Sequence, residues 1–179
     1  MRYGLPYLAS DFIHLAVSAA FQNIFLGVAL ATIVVFLFLR RWGATLTIAV
    51  SMPVCILAVF ILMNVFDLTL NMMSLGGIAM GVGMIVDNSI VVLESCFRAT
   101  DEYREKGFIE YAKAALDGTN IVVMSIVGGT LTTCVVFIPL TTIQGMSGQM
   151  FKPLGFTIVF CMVASLISAM TIVPLCYTF

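Results

Sequence analysis

Charge is what this sequence has least of. Aspartate, glutamate, lysine and arginine make up 9% of its 179 residues, against about 25% in ordinary soluble domains. A water-soluble core does not account for that deficit. With eight Lys and Arg in all and a formal net charge of −1, there is no case for a nucleic-acid partner, because phosphate binding needs a clustered basic surface. The one histidine, His14, makes neither a metal site nor a nucleophilic triad, and no other catalytic constellation is present, so no enzyme is expected. The cysteines Cys55, Cys96, Cys134, Cys161 and Cys176 are odd in number and mostly embedded in apolar runs. Neither a disulfide framework nor a zinc ligand set fits them, and they read as small packing residues.

What is abundant is apolar: 61% of the residues are hydrophobic and the mean hydropathy is +1.14. Five apolar stretches stand out, over about residues 23–39, 45–65, 70–97, 121–139 and 154–179. About 20 helical residues rising about 1.5 Å each match a hydrocarbon core of about 30 Å, and lipid offers backbone groups no hydrogen-bond partners. The expected fold class is therefore an all-α membrane protein with five transmembrane helices over residues 21–179. Residues 1–20 form an extracytoplasmic lead-in, which is not expected to be a cleaved signal because Asp11 and His14 interrupt its apolar region.

Charges gather in the separators. Arg40, Arg41, Arg98, Arg104, Lys106 and Lys113 fall on one side, and only Arg2 and Lys152 on the other. The positive-inside rule then places the N-terminus outside and the C-terminus in the cytoplasm. The cytoplasmic loop over residues 98–118 is the one soluble-looking segment. In it Phe108, Ile109, Tyr111, Ala112, Ala115 and Leu116 approximate one helical face, so it is expected to form an interfacial helix. Pro153 suits the first turn of the fifth helix, whereas Pro53 and Pro174 are expected to kink theirs.

The segment GGIAMGVGMIVDNSIVVLE, inside the third stretch, carries the sharpest chemical signal. Asp87 lies about 7 Å inward of the midpoint between Asp67 and Arg98. An ionisable group within a membrane helix costs about 2.5 to 3.5 kcal/mol on insertion scales, so it normally faces the bundle interior or a wet cavity. Burial raises a carboxyl pKa and a nearby cation lowers it, so such a group can load and release a proton as its surroundings change. A purely structural hydrogen-bonding residue, or one near the interface, is the alternative. Asn88 and Ser89 are candidates to hydrogen-bond beside the carboxylate, and equally to join helices without any transport role. Gly77 and Gly81 form a GxxxG step with Gly83 one turn before Asp87, suiting close approach of a neighbouring helix. Glu94 stands four residues before Arg98, where its side chain reaches interfacial water.

VGMIVDNSIVVLE, VFIPL (residues 136–140) and GMSGQMFKPLGFTIVFCMVASLISAMTIVPL resemble the resistance-nodulation-division (RND) superfamily, in its AcrB-like hydrophobe and multidrug efflux branch. VVFLFLRRWGATLTIAVSMPV resembles that family's second helix, cytoplasmic turn and third helix. The resemblance runs from about Phe21 to the end and identifies the five spans with helices two to six of twelve. It implies a homotrimeric exporter in the bacterial inner membrane, working with a periplasmic adaptor in Gram-negative cells. The energy source is a proton gradient rather than a cofactor. Asp87 matches the family's first acidic position, as proton relay, opposed by a lysine from the second half. Asn88 stands where many members carry a second Asp, which leaves the proton stoichiometry open. The first helix, the porter domain and the second half have no counterpart here, so the chain resembles a fragment that alone is not competent for transport. Two other readings stand beside this one. Sterol-sensing domains look like the same helix set, which suggests a lipid-responsive binding module, and an inert structural fragment is the third possibility.

Overall fold

The computed structural model describes residues 18, 22, 25–37, 40–105 and 110–178. The expectations placed on Arg2, Asp11, His14, Lys106, Phe108 and Ile109 lie outside the described residues, as does the lead-in apart from Ser18. All regular structure among them is helical: α1 (Phe25–Leu37), α2 (Trp42–Val65), α3 (Met72–Glu105), α4 (Tyr111–Thr142) and α5 (Gly145–Thr178). The last four are each long and apolar enough to cross a membrane, with mean hydropathies of 1.7 to 2.6. The described part of α1 is apolar but shorter. The chain is a multi-pass helical membrane protein.

Residues with positive φ mark three of the helix boundaries. Arg40 and Asp67 take positive φ values of 49° and 52° ahead of α2 and α3, and Gly145 turns at φ 83° where α5 begins. At the start of α3 two side chains cap reciprocally. Ser74 N donates to Asn71 Oδ1 and Asn71 N to Ser74 Oγ, both at 2.8 Å, which satisfies amides that the helix leaves orphaned.

The helices run longer than the apolar stretches that signal them. α3 passes Arg98 to reach Glu105, and α4 starts at Tyr111, so the described residues of 98–118 are helical apart from Glu110. The expected interfacial helix is not a separate element. The described residues of its apolar face, Tyr111, Ala112, Ala115 and Leu116, lie in the first turns of α4. Of these Ala115 is buried, while Tyr111 and Leu116 stay exposed. Pro153 likewise lies about two turns inside α5 rather than in its first turn, because α5 begins at Gly145. Pro53, Pro139 and Pro174 are also within helices, which membrane helices accommodate through neighbouring groups.

α5 occupies the centre, packed against α2, α3 and α4. The fully buried side chains include Ile48, Met52 and Val59 of α2, Ile78, Ile85 and Leu93 of α3, and Ile158 and Val173 of α5. α4 is the least covered helix. It buries only Ala114, Ala115, Gly118, Ile126, Thr130 and Cys134, a single stripe along one face. All five cysteines are free, and four are buried as packing residues.

Candidate functional site

Two glycines let α3 and α5 approach. A Cβ at Gly81 would stand 2.5 Å from Cys161 Cβ, and one at Gly77 would meet Thr157 Cβ at 3.0 Å. Both positions therefore admit only hydrogen without a shift. Gly83 behaves differently: nothing lies within 4 Å of a Cβ built there, so it packs against no helix within the described residues. It belongs instead to an open stripe on the outer side of α3, with Met80, Gly83, Asp87, Val91, Glu94 and Arg98 all exposed at steps of three or four.

Asp87 sits in the middle of that stripe and of its helix. It lies eleven residues before Arg98, about 16 Å along the helix axis, and therefore at hydrocarbon depth when α3 spans. Its carboxylate makes no hydrogen bond or ion pair among the described residues. At the arginine-rich end of the same stripe Glu94 is paired, with Arg98 Nη2 donating to Glu94 Oε1 at 2.6 Å on the exposed helix surface.

The polar neighbours bond away from Asp87. Asn88 Nδ2 donates to Ser165 Oγ of α5 at 3.1 Å and to Thr130 Oγ1 of α4 at 3.4 Å. Ser165 Oγ donates in turn to the Ile85 carbonyl at 3.2 Å. Ser89, almost completely buried, gives its hydroxyl proton to that same carbonyl at 3.2 Å. Asn88 thus joins α3 to α4 and α5, Ser89 bonds within its own helix, and neither hydrogen-bonds to the carboxylate. Sequence reading passed over Ser165 and Thr130. The signal for them was a hydroxyl residue inside an otherwise apolar or small-residue run, in ASLIS and GGTLTT.

A further close contact locks α3 to α4 nearer the arginine-rich end. Ser95 Oγ donates to the Gly118 carbonyl at 2.7 Å, and a Cβ on Gly118 would lie 2.7 Å from Cys96 Cα. Among the described residues no group of three or more His, Cys, Asp or Glu could hold a metal ion. The site therefore consists of one carboxylate without a hydrogen bond or ion pair among the described residues, beside an Asn, Ser and Thr network that ties α3 to α4 and α5. Chemically, it can gain and lose a proton.

A 35% identical relative over 83% of this chain is the swarming motility protein SwrC of Bacillus subtilis. The multidrug resistance protein MdtC of Pectobacterium atrosepticum is 33% identical over 86% of the chain, and the multidrug export protein AcrF of Escherichia coli is 28% identical over 99%. Among solved structures, that of a heavy metal efflux pump superposes with a TM-score of 0.77 at 28% identity, covering 92% of this chain and 16% of the other. The chain spans only 14% to 17% of the length of these curated relatives. With residues 1–179 matching the AcrB/AcrD/AcrF family model throughout, and with the fold shared, the chain belongs to that family.

Proposed function

We propose that this chain forms the proton-coupling part of the transmembrane domain of an RND efflux transporter in the bacterial inner membrane, with Asp87 as the proton carrier. The observation that carries the reading is the unpartnered carboxylate at mid-depth of α3. A charged group left against lipid costs several kcal/mol, so an open stripe bearing one calls for protein or water to cover it. The rest of the transporter is the natural cover, and a cation arriving there would favour the ionised form. Protonation cancels that attraction, so loading and release of the proton can be tied to movement between the halves.

Export of hydrophobic or amphiphilic compounds belongs, in this reading, to the complete protein: a homotrimer with its second half and porter domain, served by an adaptor in Gram-negative cells. The chain by itself does not transport. Charge supports the orientation. Arg41 lies over Phe97, which brings the α1–α2 turn to the same end of the bundle as Arg98, Arg104 and Lys113, and the positive-inside rule makes that end cytoplasmic.

The test is Asp87→Asn in a complete transporter containing this chain, with dye efflux and proton uptake measured together. Loss of both is expected. Full activity of the variant removes Asp87 from the mechanism.

A further inference from the structure

At the arginine-rich end, the start of α2, the end of α3, the start of α4 and the end of α5 enclose a half-open cavity of about 550 Å³. Its walls include Arg41, Thr47, Phe97, Thr100, Arg104 and Tyr177, together with Asp101 and Tyr111. Most of the hydroxyl protons there are already committed. Thr47 Oγ1 donates to the Gly43 carbonyl at 3.0 Å. Thr100 Oγ1 donates to the Cys96 carbonyl at 2.9 Å, which leaves Tyr177 to donate across its 2.6 Å contact with Thr100.

The donors that remain are the guanidiniums of Arg41 and Arg104 and the Tyr111 hydroxyl. Neither arginine forms an ion pair among the described residues. Arg41 is held in place by Phe97, with its guanidinium carbon 4.4 Å from the ring centroid, and Phe97 is itself held edge-on by Tyr177 at 5.1 Å. A guanidinium fixed on a ring keeps its N–H fork free for planar or tetrahedral oxyanions.

Charge selects among anions. Among the described lining residues, two guanidiniums and the Asp101 carboxylate sum to one positive charge, which matches a phosphodiester. Free phosphate carries close to two negative charges near neutral pH, and Asp101 disfavours the second.

The surroundings suit an acyl chain. Next to the cavity, Trp42, Leu46 and Val50 are 78%, 69% and 49% exposed, an apolar flank running down α2 from the level of the arginines. Nothing lies within 4 Å of a Cβ at Gly43, so the space between cavity and flank is open. Trp42 packs against Phe36 as a tilted pair with centroids 4.4 Å apart, beside the arginines, and aromatic side chains at helix ends mark a membrane interface.

We propose that this cavity binds the phosphodiester headgroup of an anionic phospholipid, Arg41 and Arg104 clasping the phosphate while the acyl chains lie along α2. Basic pockets between membrane helices recognise such headgroups through the same chemistry. This site is separate from Asp87 and does not depend on its role.

The test titrates short-chain phosphatidylglycerol into the full chain in zwitterionic detergent, reading the emission of Trp42, the sole tryptophan, and the unfolding temperature. Phosphatidylglycerol should shift both, and phosphatidylcholine neither. Replacing Arg41 and Arg104 together by Gln should weaken binding about thirtyfold, roughly fivefold for each arginine. Arg41→Lys should retain part of the affinity. Arg98→Gln serves as the control, because Arg98 is exposed at the same end, is paired with Glu94 and does not line the cavity; it should bind as the parent does. If Arg98→Gln weakens binding as much as the double variant, the effect is diffuse surface charge and the site is refuted. If inorganic phosphate reproduces the shifts at equal concentration, the lipid assignment is refuted.

Discussion

Asn88 Nδ2 lies 3.1 Å from Ser165 Oγ, a hydrogen bond that ties α3 to α5 and turns Asn88 towards the bundle interior. Successive helical residues are about 100° apart, so anchoring Asn88 between α4 and α5 obliges Asp87 to face away from them. The carboxylate's open position follows from its neighbour's amide. An apolar residue at 88 would leave the two hydroxyls without that donor.

The strength of this anchor is measurable by a double-mutant cycle with Asn88→Ala and Ser165→Ala, read from reversible unfolding in mixed micelles. Interhelical hydrogen bonds in membrane proteins average about 0.6 kcal/mol and reach about 1.7 kcal/mol. A coupling in the upper half of that range is expected, because both partners are at least half-buried and Asn88 reaches Thr130 as well. A coupling indistinguishable from zero means the bond does not orient the helix.

The glycines of α3 separate by sign. Gly81→Ala forces a methyl against the side chain of Cys161 and should destabilise the chain by about 1 to 3 kcal/mol, as overpacking does. Cys161→Gly in the same background should restore much of the loss. Gly83→Ala meets open space and should be neutral or stabilising by up to about 1 kcal/mol, from the helix preference of alanine. Equal effects at the two positions contradict the close α3–α5 approach at Gly81.

These positions also show where sequence reasoning works and where it stops. Hydropathy finds the helices because a bilayer leaves the backbone no other solution, and Gly77 and Gly81 are legible because a four-residue step puts both on one face. Gly83 was grouped with them by proximity to Asp87, although two residues from Gly81 is about 200° round the helix. The charged residues beyond Arg98 hid the true ends of α3 and α4, since hydropathy reports where lipid stops and not where helix stops. Asn88 is legible as polar, but its partners Thr130 and Ser165 come from other helices, and only the packing angle brings those together.

Glu94 and Arg98 form a short ion pair, yet both side chains are largely exposed, at 54% and 80%. Such pairs on helix surfaces contribute about 0.3 to 0.5 kcal/mol. Glu94→Gln should therefore change the unfolding free energy of the chain by less than about 0.5 kcal/mol, and high salt should erase the difference. A loss above about 1 kcal/mol means Glu94 has a buried partner in the folded chain.

Asp87 should show opposite effects on folding and on transport. Its carboxylate makes no hydrogen bond or ion pair among the described residues, so Asp87→Leu removes none from them. What it does remove is the insertion penalty of a charge near the helix centre, about 2.5 to 3.5 kcal/mol, while adding a leucine worth roughly −0.5 kcal/mol. Membrane insertion of the isolated α3 segment, read by glycosylation of flanking acceptor sites, should rise accordingly, and the chain should be at least as stable as before. The same change in a complete transporter should abolish proton-driven efflux. A group kept for folding shows the reverse pattern: Asp87→Leu then lowers the stability of the chain by more than about 1 kcal/mol, as loss of a buried hydrogen-bonding group does.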